Sequence, residues 1–276
     1  MKVSFAHLGN IYVCLQPFIV SLGLDVVVPP PTSKRTLNIG VQNCPEMLCT
    51  PCKLIFGNYV EALERGADTL VMLGGWGSCR LGYSVRSQQE KLRRMGFAFE
   101  AVTFSLMDAQ ADLVRVTQFL TKRSILHAFG AVRLLIEALR MLDSLEQLAL
   151  KTRPRETRRG LTDGVFREAL EAMGRCRTRE ELRTVHRLYK ERLEAIPQDR
   201  DRRTLKVALV GDPFTILDTF FNMDMERKLG QLGVEANRWF WLGQSINLFP
   251  AKTWLGISRE ARVRRTAGRY LRGDIG

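Results

Sequence analysis

The chain has 276 residues, 45 % of them hydrophobic, and carries 42 Lys and Arg against 29 Asp and Glu, a formal charge of +13. That length and composition exclude a disordered chain and allow two domains around a sizeable core. The basic balance favours anionic partners, yet much of it is Arg interleaved with Glu, as in REELRTVHRLYKERLEAI at 179–196. That is the pattern of a solvated helix face and no nucleic-acid reading motif accompanies it, so no nucleic-acid partner is expected.

Residues Lys2 to Ala6 read as a strand, His7 to Asn10 as a turn, and Ile11 to Leu22 as a helix. This start lacks the long apolar core of a signal peptide, and no stretch reaches the roughly 20 apolar residues of a membrane span, so a cytoplasmic protein without a membrane partner is expected. Asp25 to Val28 is an apolar strand ended by Pro29 to Pro31, and Thr32 or Ser33 can cap a short helix through Val41. Apolar spacing from Lys53 to Arg65 predicts a helix closed by Gly66, and Thr69 to Leu73 a strand that runs into Gly74, Gly75, Trp76 and Gly77. A helix from Tyr83 to Met95 and a strand from Phe97 to Thr103 follow. The alternation predicts an α/β fold: a Rossmann-like parallel-sheet N-terminal domain over 1–104.

The pattern then changes to a helical insert over 105–203, with helices at 109–120, 124–150, 163–173 and 179–196 and an exposed loop from Lys151 to Gly160. After PQDRDRR, Leu205 to Val210 is a strand ending at Gly211 and Asp212. A helix from Thr215 to Leu232, its apolar face interrupted by Asn222, and a strand from Val234 to Trp241 complete the reading. Residues 204–276 are thus expected to form an incomplete second α/β domain, since two strands make a poor independent sheet.

Four of the six cysteines fall in CPEMLCTPCKLIFGNYVEALERGADTLVMLGGWGSCRLGY: Cys44, Cys49, Cys52 and Cys79. A C-x4-C-x2-C run followed by a distant Cys is a spacing that holds iron–sulfur clusters through thiolates. Four thiolates also suit zinc, but structural zinc sites usually pair their cysteines and Cys79 stands alone. The competing reading is that free Cys is a small buried hydrophobe. Cys14 and Cys176 are read as structural or incidental, His7 as a hydrogen-bonded turn residue ahead of a donor toward a bound anion or cluster, and His127 and His186 as without a role. Glu46 is either a general base or a cap for the following helix. Gly74, Gly75 and Gly77 follow a strand and could present N–H groups to a phosphate, although their spacing matches neither phosphate-binding fingerprint.

HLGN at 7–10, PPP at 29–31, CPEMLCTPCK at 44–53, GNYVEALERGAD at 57–68 and GWGSCRLGY at 75–83 resemble the 2-hydroxyacyl-CoA dehydratase superfamily. The branch most similar is that of the CoA protein activases, also described as nucleotide-binding proteins associated with the sugar kinase, Hsp70 and actin superfamily. VGDPFTILDTFFNMDMERKLGQLGVEANRW at 210–239 resembles the start of that branch's later α/β domain. The resemblance implies a 4Fe-4S cluster, with Cys49 and Cys79 as ligands and Cys44 or Cys52 completing the set. It implies an acyl-CoA substrate and an electron delivered by an actin-like ATPase activator, or a paralogous subunit as partner. Arg80 would hold the charge of the cluster or of CoA phosphates, beside Gly75 and Gly77. Family members continue beyond the equivalent of Gly276 and carry a further cysteine there. Either the gene is shortened, or Cys44 and Cys52 replace the lost ligand, or no cluster binds. Two functions are therefore expected: an iron–sulfur component in electron transfer or radical dehydration of acyl-CoA, a lyase or a non-catalytic part of one; or a metal-free scaffold or regulatory subunit that binds a partner protein through its helices.

Overall fold

The computed structural model describes residues 1–74, 80–104, 109–121 and 125–246. The N-terminal part is built on four parallel strands, β1 (Lys2–Phe5), β2 (Asp25–Val26), β3 (Thr69–Leu73) and β4 (Glu100–Phe104), in the order β2-β1-β3-β4. Parallel strands need crossovers, here supplied by α1 (Tyr12–Ser21), by α2 (Lys34–Asn43) with α3 (Thr50–Glu64), and by α4 (Arg80–Arg94). The α/β reading is thus realised. β3 is central and its Leu70 and Met72 are fully buried, which is why this strand is a continuous apolar run. The chain leaves β1 toward β2 and returns past it to β3, so the topological switch point lies at the carboxyl ends of β1 and β3.

The middle of the chain is helical: α5 (Ala109–Thr121), α6 (Ile125–Thr152), α7 (Leu161–Arg175) and α8 (Arg179–Glu194). The apolar face of α6 is buried through Val132, Leu135, Ile136, Leu139, Leu142 and Leu145, and the helix packs against α1 as well as α5, α7 and α8. β5 (Leu205–Leu209) and β6 (Val234–Arg238) form a separate two-stranded parallel sheet, joined through α9 (Pro213–Leu217) and α10 (Met225–Gln231), with α11 (Leu242–Ser245) after it. Met1–Ser245 form one compact unit.

Two expectations are corrected. The single helix expected over 215–232 is two, because Met223 and Asp224 adopt left-handed backbone (φ 55° and 57°), which a right-handed helix cannot continue through. Asn222 stitches the intervening turn: its Nδ2 donates to the Ile216 carbonyl (2.9 Å) and its Oδ1 accepts from the Met225 N–H (3.3 Å). The stretch Lys151 to Gly160 is only partly an exposed loop, since Thr152, Arg153, Pro154 and Glu156 are buried. The Glu156 carboxylate accepts from the Gly160 and Thr162 N–H groups, both at 2.7 Å, and so serves the start of α7.

Candidate functional site

The cysteine run is positioned by the antiparallel hairpin of α2 and α3. Ser33 opens α2 with a capping box shared with Thr36. A Cβ on Gly40 would stand 2.0 Å from the Lys53 carbonyl oxygen, and one on Gly57 2.1 Å from that of Thr36, so only glycine lets the helices approach this closely. Between them Glu61, buried, accepts from the Thr36 hydroxyl at 2.6 Å and from Arg35 at 3.0 Å. α3 ends at Glu64, just ahead of β3, and therefore begins at the carboxyl edge of the sheet.

Cys44 ends α2 and Cys49 is the N-cap of α3, both half-buried, while Cys52 is fully buried in its first turn. The Cys52 thiol donates to Ser84 Oγ (3.1 Å), whose hydroxyl donates to the Leu81 carbonyl (2.8 Å). Gln88 Nε2 donates to Cys52 Sγ at 3.0 Å. The beginning of α3 is therefore locked against the second and third turns of α4. Burial, and to a smaller extent the proximity of Cys52, push the Cys44 thiol up to about 12. Among the described residues no three His, Cys, Asp or Glu side chains form a group that could hold a metal. Cys44, Cys49 and Cys52 are therefore not gathered as a three-thiolate group, and Cys79 lies outside the described residues together with Gly75 and Gly77.

The end of β1 faces the same region. His7 stacks on Tyr12 (5.4 Å between ring centroids), and burial lowers its basicity against the opposing pull of Asp218. Among the described residues its Nδ1 has no hydrogen-bond partner, nor do Thr32 Oγ1, Gln88 Oε1 or either amide atom of the fully buried Asn58. Orphaned buried polar atoms cost about 1–3 kcal/mol each and call for a ligand or an ordered water. Among the described residues all of them belong to the N-terminal α/β part.

Residues 7–72 match the family model of the CoA enzyme activase uncharacterised domain. The matched segment contains Cys44, Cys49, Cys52 and Asn58, and it supports a CoA activase-related family for this part of the chain. No curated protein matches the chain.

The structure brings Cys44, Cys49 and Cys52 to the start of the α2–α3 hairpin turn and of α3. Gly74 serves packing and pairing: a Cβ there would lie 2.0 Å from Val85 Cγ2, and its N–H donates to the Phe104 carbonyl at 2.8 Å. Glu46 is exposed and caps nothing, since the N-cap of α3 is Cys49. His7 is a buried, stacked residue whose Nδ1 lacks the hydrogen bond expected of a turn histidine. His186 shares a 2.6 Å hydrogen bond with Ser144. Cys14 and Cys176 are buried, the latter donating to the Ala172 carbonyl.

Ser84, Gln88 and Asn58 are the residues of this site that spacing does not reveal. Their signal is a polar residue at a position that otherwise continues a buried helix stripe. A further cleft of about 350 Å³ lies between Asn10, α6, α7 and α10. Arg153 there pairs with Asp163, Arg227 with Asp224, and buried Arg238 with Glu146 and Glu226, while Arg167 in the same wall has no ion pair among the described residues.

No helix among the described residues is long and apolar enough to cross a membrane.

Proposed function

We propose that this protein is a cytoplasmic iron–sulfur component of a CoA activase-related system. A 4Fe-4S cluster at the carboxyl edge of the N-terminal sheet is held by Cys49 and Cys79, with Cys44 or Cys52 completing the thiolate set. The reading is carried by the contact of Cys52, in the first turn of α3, with Ser84 and Gln88, in the second and third turns of α4, which holds the two helices side by side. Each of these helices follows a cysteine: Cys49 caps α3, and Cys79 precedes Arg80, the first residue of α4. Helix N-termini carry partial positive charge and stabilise thiolates, so two of them converging on one edge favour an anionic centre there.

When bound, such a cluster supplies one-electron transfer, and an open iron supplies a site for a thioester carbonyl. The residues of the chain set its surroundings. Buried Cys52 excludes water on its side, and the Gln88 N–H directed at Cys52 Sγ disperses charge on that sulfur. The family match fits an acyl-CoA substrate and a partner that supplies the electron, either an actin-like ATPase or a paralogous subunit. The test is anaerobic purification with iron and acid-labile sulfide analysis. The expected protein is brown, absorbs broadly near ~400 nm as thiolate-bound clusters do, and loses both elements in Cys49→Ala/Cys79→Ala while keeping its helical circular dichroism. A wild-type protein that stays colourless after anaerobic reconstitution overturns the reading.

One observation favours a second reading, a metal-free scaffold that binds a partner through its helices. The Cys52 thiol has both a donor and an acceptor in Ser84 and Gln88 without any metal. On that reading the double variant folds and behaves as the wild type does.

A further inference from the structure

A second cleft, of about 350 Å³, opens on the face of the helical part away from the cysteines in sequence, where the loop after α6 meets the segment leading into β5. Its cations are Arg153, Arg159, Arg202 and Arg203, with Glu156 and Leu232 also in the wall. Two basic stretches of sequence, RPRETRRG and PQDRDRR, build it, and they are fixed to each other rather than loose. Glu156 and Gln198 form an antiparallel bridge, the Thr157 N–H donates to the Pro197 carbonyl (3.0 Å), and the Asp199 N–H to the Arg155 carbonyl (2.8 Å). Arg202 Nη1 adds a bond to the Pro154 carbonyl at 3.2 Å.

The charge in this cleft does not cancel. The oxygens of Glu156 are occupied by the Gly160 N–H and by the Thr162 N–H and hydroxyl. Arg153 is held by Asp163 at 2.7 Å, and Arg202 stands 3.6 Å from Asp199. Arg159 and Arg203 are exposed and have no ion pair or hydrogen bond among the described residues. Two free guanidinium forks on a rigid platform suit an anion with several oxygens in tetrahedral groups, which each fork can grip with two N–H bonds. The cleft volume lies at the small end of pockets that take low-molecular-weight ligands, roughly 300–1,000 Å³.

We propose that this cleft binds the di- or triphosphate group of a small-molecule ligand, with Arg159 and Arg203 as the contacting cations. It is independent of the cysteine edge and does not rest on the function proposed above.

The test is titration calorimetry of the full chain with pyrophosphate and with ADP. The wild type is compared with Arg159→Ala/Arg203→Ala and with a control, Arg177→Ala/Arg187→Ala, that removes two other exposed arginines. Because the substituted side chains are at the surface, thermal unfolding of all three proteins should coincide. The expected result is at least tenfold weaker binding of both probes by the first variant and unchanged binding by the control. ADP binding more tightly than pyrophosphate makes the ligand a nucleotide, and equal affinity makes the phosphates alone the determinant; either result supports the site. Equal affinity in the first variant and the wild type, or equal losses in both variants, overturns it. So does tighter binding of a duplex oligonucleotide than of ADP, lost in the first variant, which would make the cleft part of a nucleic-acid surface.

Discussion

Cys44 and Cys52 are neighbours with different surroundings. Cys52 is sealed at 0 % exposure and hydrogen-bonded, whereas Cys44 is half-buried beside it with its thiol pushed up to about 12 by desolvation. A thiolate is the species that alkylates, and at pH 8 a thiol of that acidity is ionised only to about one part in ten thousand, against about a quarter for an ordinary cysteine. In the metal-free protein Cys44 is therefore expected to react with iodoacetamide at least ~100-fold more slowly than a cysteine in a short unstructured peptide. Peptide mass spectrometry after timed quenching measures this. A Cys44 that alkylates at the rate of the free peptide would show that its apolar surroundings open in solution.

The α2–α3 hairpin is where helix packing sets the position of the cysteines. Its two glycines leave no room for a methyl group, and the obstacle in each case is backbone carbonyl rather than a side chain that could move aside. Gly40→Ala is expected to force the helices apart and to destabilise the protein by about 2–3 kcal/mol, at the upper end of overpacking costs. Urea unfolding measures this; a loss below ~0.5 kcal/mol, within ordinary surface effects, would show that the helices separate freely. Much of this level was legible in the sequence. β3 stands out as an apolar run between Gly66 and Gly74, and the cap of α2 is narrowed to Thr32 or Ser33, of which the fold uses Ser33. α4 begins at Arg80, ahead of the expected Tyr83; Gly82 in its first turn reads as a helix breaker and masks the start. The break between α9 and α10 is hidden because Phe220, Phe221 and Met223 keep the stretch largely apolar around Asn222 while the backbone turns left-handed. The cysteine cluster is announced by spacing, but Ser84 and Gln88 are not. Their partner Cys52 is 32 and 36 residues away, and only the fold brings them together.

At the scale of the whole molecule, a chain of buried charge joins the three parts of Met1–Ser245. Asn10, beyond β1, donates to Glu146 on α6 at 2.7 Å, and Glu146 pairs with Arg238 at the end of β6, which also pairs with Glu226 and lies over Trp241. One turn before Glu146, Asp143 accepts from the Gln244 N–H at 3.0 Å and so ties α11 to α6. Its carboxyl is pushed up to about 7, first by burial and then by the neighbouring Glu146, against the pull of the Gln244 and Gly243 N–H groups and Arg238. The folded state therefore holds a proton that the unfolded state, titrating near ~4, has released. This contribution to stability is fully present below pH ~4 and is lost as pH rises toward 7. The lowered His7 and His186 act in the opposite direction, losing stability as pH falls through the histidine range, so the wild-type curve alone does not isolate Asp143. The comparison with Asp143→Asn does. The amide cannot ionise and still offers an oxygen to Gln244. Relative to wild type, the variant is therefore expected to gain about 2–3 kcal/mol between pH 5 and pH 8. Urea unfolding at both values measures the difference. A variant whose stability runs parallel to the wild type across this range would mean that Asp143 is ionised throughout and that the tie to α11 is held by a carboxylate.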